Sequence, residues 1–320
     1  MSTHKIVLGF EPPKGLAERV RTRIPGSNPE VIVAPDDESL AAALKGADVL
    51  LGGWGVTQCF DRADSLKWIQ TLSAGVEYLR TPEVMASGVL VTNASGAHRP
   101  QISEHILAMM LAFARDLPTA IRAQDRKDWG QTELKVFELE GKVLGIVGLG
   151  DLGDALASKA RPLGMTVLAL KNRVTAKPAY VDEIFGPEGL DEVLERSDFV
   201  ADTLPFTPET AGTFGRDQFR RMKDSAYFFN VGRGRTVDQS ALIEALRSGE
   251  IAGAGLDVTD PEPLPQDSPL WGMKNVIITY HSSGSSPHVM ERVYSIFLDN
   301  LVRFHNGQPL ANVVDLKAGY

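Results

Sequence analysis

The chain of 320 residues contains one cysteine, Cys59, which excludes an intramolecular disulfide and a cysteine-ligated zinc cluster. It has no apolar run long enough to span a bilayer. The longest candidate, residues 106–114, is bounded by Glu104, His105 and Arg115 and reads as a buried helix. It has no excess of positive charge either. Lys and Arg number 33 against 41 Asp and Glu, a formal charge of −8, which counts against a nucleic-acid partner needing a basic face. The opening residues lead into a strand pattern without the charged, apolar and cleavage regions of a secretory leader. The expectation is a soluble, cytoplasmic protein with no membrane contact. No metal site is expected. His288 follows His281 by seven positions, but Gly284 and Pro287 interrupt any helix between them.

What is present is an ordinary globular composition, 43% hydrophobic and 23% charged, at a length that suggests about two domains. Short apolar runs at 6–10, 31–34, 48–53, 68–73 and 89–93 read as strands. Between them, 16–23, 39–44 and 82–86 carry helical spacing. This alternation predicts a parallel sheet with helices on both faces. A helix follows Pro100, with Ile102, Ile106, Met109, Met110 and Phe113 on one stripe. Residues 117–140 read equally well as an arm over a neighbouring subunit or as a surface helix and loop. A second series then begins, with strands at 142–147, 166–170, 199–204, 226–231, 253–258 and 276–280. Its helices fall at 155–163, 190–196, 217–222 and 240–247, and a last helix spans 287–306.

The second series opens on Gly148, Gly150 and Gly153, spaced G-x-G-x-x-G between a strand and a helix. Inside a βαβ unit this spacing predicts a dinucleotide site. The first glycine permits the turn, the second lets backbone N–H groups approach a pyrophosphate, and the third lets the helix pack on the strand. The positive end of the helix favours the diphosphate. The next strand should end in an acid for the adenosine ribose, but it ends Leu170, Lys171, Asn172, Arg173. Donors and positive charge there suit a 2′-phosphate, so NADP(H) is expected in preference to NAD(H). Four further polar residues stand at or just past strand ends, where a doubly wound sheet forms its crevice: Arg233, Asp257, Glu262 and His281.

These pieces together resemble the D-isomer-specific 2-hydroxyacid dehydrogenases. The resemblance rests on SAGVEYL at 73–79, NASGAHRPQISEH at 93–105, the glycine turn, LPFTPET at 204–210, NVGRG, GLDVTDPEPLP and the strand-end histidine. It implies an α/β protein of two doubly wound parallel-sheet domains. A Rossmann cofactor domain (99–286) would be inserted into a flavodoxin-like substrate domain (1–98 and 287–320). The implied reaction is reversible hydride transfer between NAD(P)H and a small 2-oxo acid or D-2-hydroxy acid. Arg233 would orient the substrate carboxylate and polarise the carbonyl. His281 would be the acid and base, and Glu262 would fix its ring and stabilise the imidazolium.

The resemblance also implies further contacts. The backbone of Ala74, Gly75 and Val76 would hold the substrate carboxylate, and Trp54 would line the pocket for its side chain or else belong to a core. Asp151 and Leu152 would lie against the pyrophosphate. Leu204, Val231 and Gly232 would wall the nucleotide, Asp257 would face the nicotinamide amide, and Ser283 and Gly284 would lie beside the ring. A homodimer is the family's expectation. Three positions depart from the pattern. Arg99 stands where threonine is frequent and would contact a phosphate or form an interdomain ion pair. Asp151 is acidic, and Tyr280 replaces proline before the histidine. With Trp54, Tyr280 tilts the expected substrate toward an apolar side chain. The absence of a further domain after the last helix counts against the larger 3-phosphoglycerate dehydrogenases. Alternatives are a dinucleotide-sensing corepressor-like protein on the same fold, or a formate- or phosphonate-type dehydrogenase. A short-chain reductase is disfavoured because no Tyr is followed four residues later by Lys, and a P-loop because no Gly-Lys-Ser/Thr ends the turn.

Overall fold

A computed structural model of the chain describes residues 4–174 and 176–319. It divides into two units, Met1–His98 with Ser286–Tyr320, and Arg99–Ser285. The first unit runs β1 (Lys5–Gly9), α1 (Leu16–Thr22), β2 (Glu30–Val33), α2 (Asp37–Leu44), β3 (Val49–Gly52), β4 (Trp68–Gln70), α3 (Pro82–Ser87) and β5 (Leu90–Thr92). Its strands are all parallel in the order β2-β1-β3-β4-β5. The central strands are apolar without alternation because both faces of the sheet are covered: Ile6, Val7, Leu8, Val49, Leu50 and Leu51 are all fully buried. The polar punctuation is local. Asp36 caps α2 by accepting from the Ser39 N–H at 2.8 Å, and the Ser39 hydroxyl accepts in return from the Asp36 N–H.

The second unit begins with α4 (Arg99–Ala114) and α5 (Leu117–Asp125), and continues through β6 (Val143–Val147), α6 (Asp151–Ala160), β7 (Thr166–Leu170) and β8 (Glu183–Phe185). Its other half is α7 (Leu190–Arg196), β9 (Phe199–Asp202), α8 (Arg216–Arg221), β10 (Tyr227–Asn230), α9 (Gln239–Ser248), β11 (Gly253–Leu256) and β12 (Val276–Ile278). The parallel sheet is ordered β12-β11-β10-β9-β6-β7-β8. Successive strand residues face opposite sides, so Phe228 joins one core with Phe214, Phe219 and Leu242. Phe229 joins the other with Ile106, Met110, Leu156 and Phe199. Strand order reverses between β6 and β9, and the loops leaving those two strands bound the crevice at the carboxyl edge.

The last helix, α10 (Val289–His305), returns to the first unit. Tyr294, Phe297, Leu298 and Leu301 pack there with Ile6, Leu8 and Trp68. The tail is pinned as well: Asn300 Oδ1 accepts from the Ala311 N–H at 2.8 Å, and the Val314 N–H donates to the Val91 carbonyl at 2.8 Å. Val313 forms an antiparallel bridge with Thr92 on β5.

Two expectations need correction. The edge strand β8 was absent from the sequence reading, since three residues of Glu-Ile-Phe between polar loops carry no period. Several expected strands also stop early: β4 ends at Gln70, β9 at Asp202 and β12 at Ile278. Their β-branched or apolar continuations, such as Thr203-Leu204 and Thr279-Tyr280, belong to the loops that build the site. Residues 117–140 hold α5 and then chain without helix or strand. Among the described residues no helix is long and apolar enough to cross a membrane, and no group of His, Cys, Asp and Glu is arranged to hold a metal ion.

Candidate active site

The glycine turn joins β6 to α6, and each glycine has a separate physical reason. Gly148 has φ 106°, a conformation that side chains rarely adopt, and a Cβ there would sit 3.1 Å from the Thr203 carbonyl carbon. A Cβ on Gly153 would meet the Gly148 carbonyl oxygen at 2.5 Å, so only hydrogen lets α6 close on the turn. Around Gly150 a Cβ would meet nothing within 4 Å. That space opens at the N-terminus of a ten-residue helix whose N-cap, Gly150, offers no side chain to its first N–H groups. This combination fits a diphosphate: open volume, outward amides and a helix dipole. Leu152 turns its side chain to the core, which leaves its backbone as the group that a pyrophosphate would meet.

Two carboxylates, Asp151 and Asp154, stand in the first turn of α6, where they oppose an incoming anion. Arg99 engages both, at 2.6 Å from Asp154 and 3.6 Å from Asp151, and the Tyr180 hydroxyl donates to the other Asp154 oxygen. The ion pair considered for Arg99 therefore lies within one unit, because Arg99 and both acids belong to Arg99–Ser285. The expectation of a phosphate contact meets a guanidinium already held by carboxylates. The turn is tied to β7 through the Leu170 carbonyl, which accepts from the N–H groups of Gly148 and Leu149 at 3.1 and 2.9 Å. Lys171, half-buried, and Asn172 and Arg173, both exposed, follow directly.

The other loops of the crevice hang from buried polar residues that end their strands. Asn230 closes β10, accepting from the Gly232 N–H at 2.9 Å and donating to the Arg233 carbonyl at 3.1 Å. Gly232 fits against Leu204, whose carbonyl a Cβ would meet at 2.6 Å, and Val231 is buried beside them. The half-buried Arg233 donates from Nη1 to the Gly232 carbonyl at 2.8 Å.

Asp257, just past β11, takes the N–H groups of Ser282 and Ser283 and the Thr279 hydroxyl, the last at 2.6 Å. Burial pushes its carboxyl up, but the hydrogen bonds from Ser283, Thr279 and Ser282 outweigh that and hold it below the ordinary carboxylate range. Its side chain is fully enclosed. This carboxylate braces the turn that carries His281. His105 on α4 reaches the same brace, with Nε2 3.0 Å from the Thr279 hydroxyl.

His281 has φ 54°, the left-handed region, and its N–H donates to the Asp257 carbonyl at 2.8 Å. Such a conformation costs on the order of 1 kcal/mol and persists where neighbours over-determine it. His281 Nδ1 lies 2.8 Å from Glu262 Oε2. An ionised carboxylate only accepts, so Nδ1 carries the hydrogen and Nε2 points the other way. The second Glu262 oxygen accepts from the Thr259 N–H at 3.2 Å. Gln101 donates to the Gly284 carbonyl at 3.0 Å, fixing the chain after enclosed Ser283. Arg233, Glu262 and His281 thus share the carboxyl edge of one sheet, on loops tied by hydrogen bonds to Asn230 and Asp257.

In the first unit, Gly52 and Gly53 have φ 111° and 128° and turn the chain outward after β3. Trp54 follows, 66% exposed, so it is not a core residue. It stacks on Tyr78 with centroids 4.7 Å apart. Burial pushes the Tyr78 phenol up to about 12. The carbonyls of Ser73, Ala74 and Gly75 are held from behind by Thr71, Asn93 and Ser73 at 2.7–2.8 Å. Tyr280 is 89% exposed beside His281.

The residues that the sequence reading missed are Asp202, Asn230, Thr236 and Thr279. Their signal was nonetheless present: a polar letter closing an apolar run, as in Phe-Val-Ala-Asp and Tyr-Phe-Phe-Asn.

Comparison with known proteins identifies the family. The sequence pattern of the D-isomer specific 2-hydroxyacid dehydrogenase, NAD binding domain, matches residues 107–283. A glyoxylate/hydroxypyruvate reductase B of Cronobacter sakazakii is 34% identical over 304 residues, covering 93% of this chain and 92% of that protein. A D-3-phosphoglycerate dehydrogenase of Methanocaldococcus jannaschii is 34% identical over 293 residues, 90% of this chain, which spans only 55% of that protein's length. Among solved structures, a D-isomer specific 2-hydroxyacid dehydrogenase of Xanthobacter autotrophicus Py2, in complex with NADPH and MES, superposes with a TM-score of 0.85. It is 30% identical, with complete coverage of both chains. The chain belongs to the D-isomer specific 2-hydroxyacid dehydrogenase family.

Proposed function

We propose that the protein reversibly reduces a small 2-oxo acid to a D-2-hydroxy acid with NADP(H). The observation that carries this reading is the His281 Nδ1 to Glu262 Oε2 contact of 2.8 Å at the sheet's carboxyl edge, on the same edge as Arg233. A bound nicotinamide would supply or accept the hydride. Arg233 binds the substrate carboxylate and polarises the carbonyl as it becomes an alkoxide. His281 holds a proton on Nε2 for that oxygen and takes it back in the oxidative direction. Glu262 orients the imidazole and stabilises its cation.

In the other unit, the N–H groups of Ala74, Gly75 and Val76 are assigned to the substrate carboxylate. The exposed Trp54 is assigned to an apolar substrate side chain. Lys171, Asn172 and Arg173 are assigned to the 2′-phosphate, a reading supported by the absence of an acid after Leu170. The NADPH bound in the Xanthobacter relative points the same way. The family pattern also suggests a homodimer.

The test is a panel of 2-oxo acids assayed with NADPH and NADH, followed by the chirality of the product. Higher kcat/KM with NADPH and a D-product are expected. A clear NADH preference removes the phosphate reading. No turnover across the panel, despite tight cofactor binding, turns the assignment toward a dinucleotide-sensing protein.

A further inference from the structure

We infer that Asp202 is a positioning residue that carries a proton in the competent enzyme and, through Thr236, sets the turn that presents Arg233. This rests on the role assigned to Arg233 above. Asp202 is the last residue of β9 and is fully buried, and the reaction as described makes no use of it. Its Oδ1 accepts from the Leu204 N–H at 3.0 Å, and its Oδ2 contacts the Thr236 hydroxyl. The same Thr236 hydroxyl lies 2.6 Å from the Arg233 carbonyl oxygen.

A count of protons decides what this cluster is. Three oxygens stand in a row, Asp202 Oδ2, Thr236 Oγ1 and Arg233 O, with two hydrogen-bond contacts between them. Threonine supplies one proton, and a carbonyl supplies none. If Asp202 were ionised, one of the contacts would press two lone pairs together. With a proton on Asp202, the carboxyl donates to Thr236, Thr236 donates to the Arg233 carbonyl, and both contacts are satisfied. Burial independently favours this form, pushing the carboxyl up to about 7 against the lowering effect of Thr236 and the Leu204 amide.

The neighbours leave this proton uncontested. Asp202 is flanked on the sheet by Val147 of β6 and Asn230 of β10, both neutral. The charged residues of the facing turn are Arg233 and Arg235. Arg233 directs Nη1 to the Gly232 carbonyl, while Arg235 lies over the Phe206 ring and near Asp260. Asp238 is occupied at the N-cap of α9, accepting from Ser240 and Ala241. Loss of the Asp202 proton would draw the Thr236 hydroxyl away from the Arg233 carbonyl. The guanidinium, held to the same turn through Gly232, would then be presented less well to a carboxylate.

The experiment compares wild type with Asp202→Asn, whose amide donates to Thr236 at every pH, and compares Thr236→Ser with Thr236→Val. Infrared difference spectra on the full-length protein should show a protonated carboxyl band at about pH 6 that is lost by about pH 9 and is missing in Asp202→Asn. The KM for the 2-oxo acid should rise by at least about fivefold more in wild type than in Asp202→Asn over that range. Thr236→Ser should keep the low KM and Thr236→Val should lose it. Changes from His281 fall equally on both proteins and cancel in the comparison. Absence of the band, or an identical KM response in wild type and Asp202→Asn, overturns the inference. Failure of the Arg233 assignment would show separately, as normal turnover in Arg233→Gln.

Discussion

Gly234→Ala offers a severe test of the site, because one added methyl group separates two of its loops. Gly234 follows Arg233, and a Cβ there would lie 1.9 Å from the Thr259 carbonyl oxygen and 2.2 Å from its carbon. Ordinary contact begins near 3.4 Å, so the two chains must part by about 1.5 Å, the difference between those distances. Both neighbours are backbone, and neither can rotate aside. The displaced segment carries Thr259, whose N–H holds one oxygen of Glu262, while the other oxygen meets His281. The methyl therefore moves Arg233 relative to the acid–base pair without altering a functional group. A displacement of about 1 Å can cost about 100-fold in rate, or roughly 2.7 kcal/mol of barrier. Overpacking should also cost about 1–3 kcal/mol of stability. The assay is steady-state turnover with NADPH, with cofactor affinity and circular dichroism measured on the same preparation. A folded, cofactor-binding Gly234→Ala protein with wild-type kcat/KM would refute the argument that these loops must keep their spacing.

Three other outcomes are expected. Replacing Lys171 and Arg173 by Ala should reduce kcat/KM for NADPH by about 10- to 100-fold, as expected for lost charge-assisted hydrogen bonds, and leave NADH turnover nearly unchanged. An equal fall for both cofactors would contradict the 2′-phosphate reading. Glu262→Gln should lower kcat by about 100-fold, the lower end of general acid–base effects, with an unaltered Kd for NADPH. For Asp202, stability and pH are linked. The folded-state value of about 7 stands above the ordinary 3.8, so the folded protein holds an extra proton between them. The contribution is complete below 3.8 and is lost as pH rises through about 7. The gap between 3.8 and about 7, at about 1.4 kcal/mol per tenfold change in proton affinity, sets a ceiling of about 4 kcal/mol. Urea titrations should show Asp202→Asn gaining on wild type as pH rises through that window. A constant difference across it would contradict the shift.

How much of this was legible in the sequence depends on the range of the interactions. The glycine turn was legible because its three constraints act within six residues: a positive φ at Gly148, open space at Gly150 and a close approach at Gly153. The alternation of apolar runs and helical stripes likewise exposed the two sheets, since burial on both faces writes itself as continuous hydrophobicity. Beyond that range the signal fades. Nothing in the sequence around Arg99 announces that its partners lie more than fifty residues away in α6. That the Asp257 carboxylate ties down the turn at Ser282 and Ser283 was equally beyond local pattern. β8 was invisible because a three-residue edge strand buries too little to impose a pattern.

The return of α10 to the first unit has a consequence for synthesis on the ribosome. The second unit is one continuous stretch of chain and can complete its sheet as soon as its last strand has emerged. The first unit cannot. Its five strands emerge first, yet the helix that covers Ile6, Leu8 and Trp68, and the tail that lies along the edge of β5, emerge last. Until then one face of an apolar sheet has only Leu16 and Val20 of α1, and Ile24 just after it, to cover it, and one edge is unsatisfied, the condition in which nascent chains recruit chaperones or aggregate. The half of the molecule that is made first is therefore the half that is finished last.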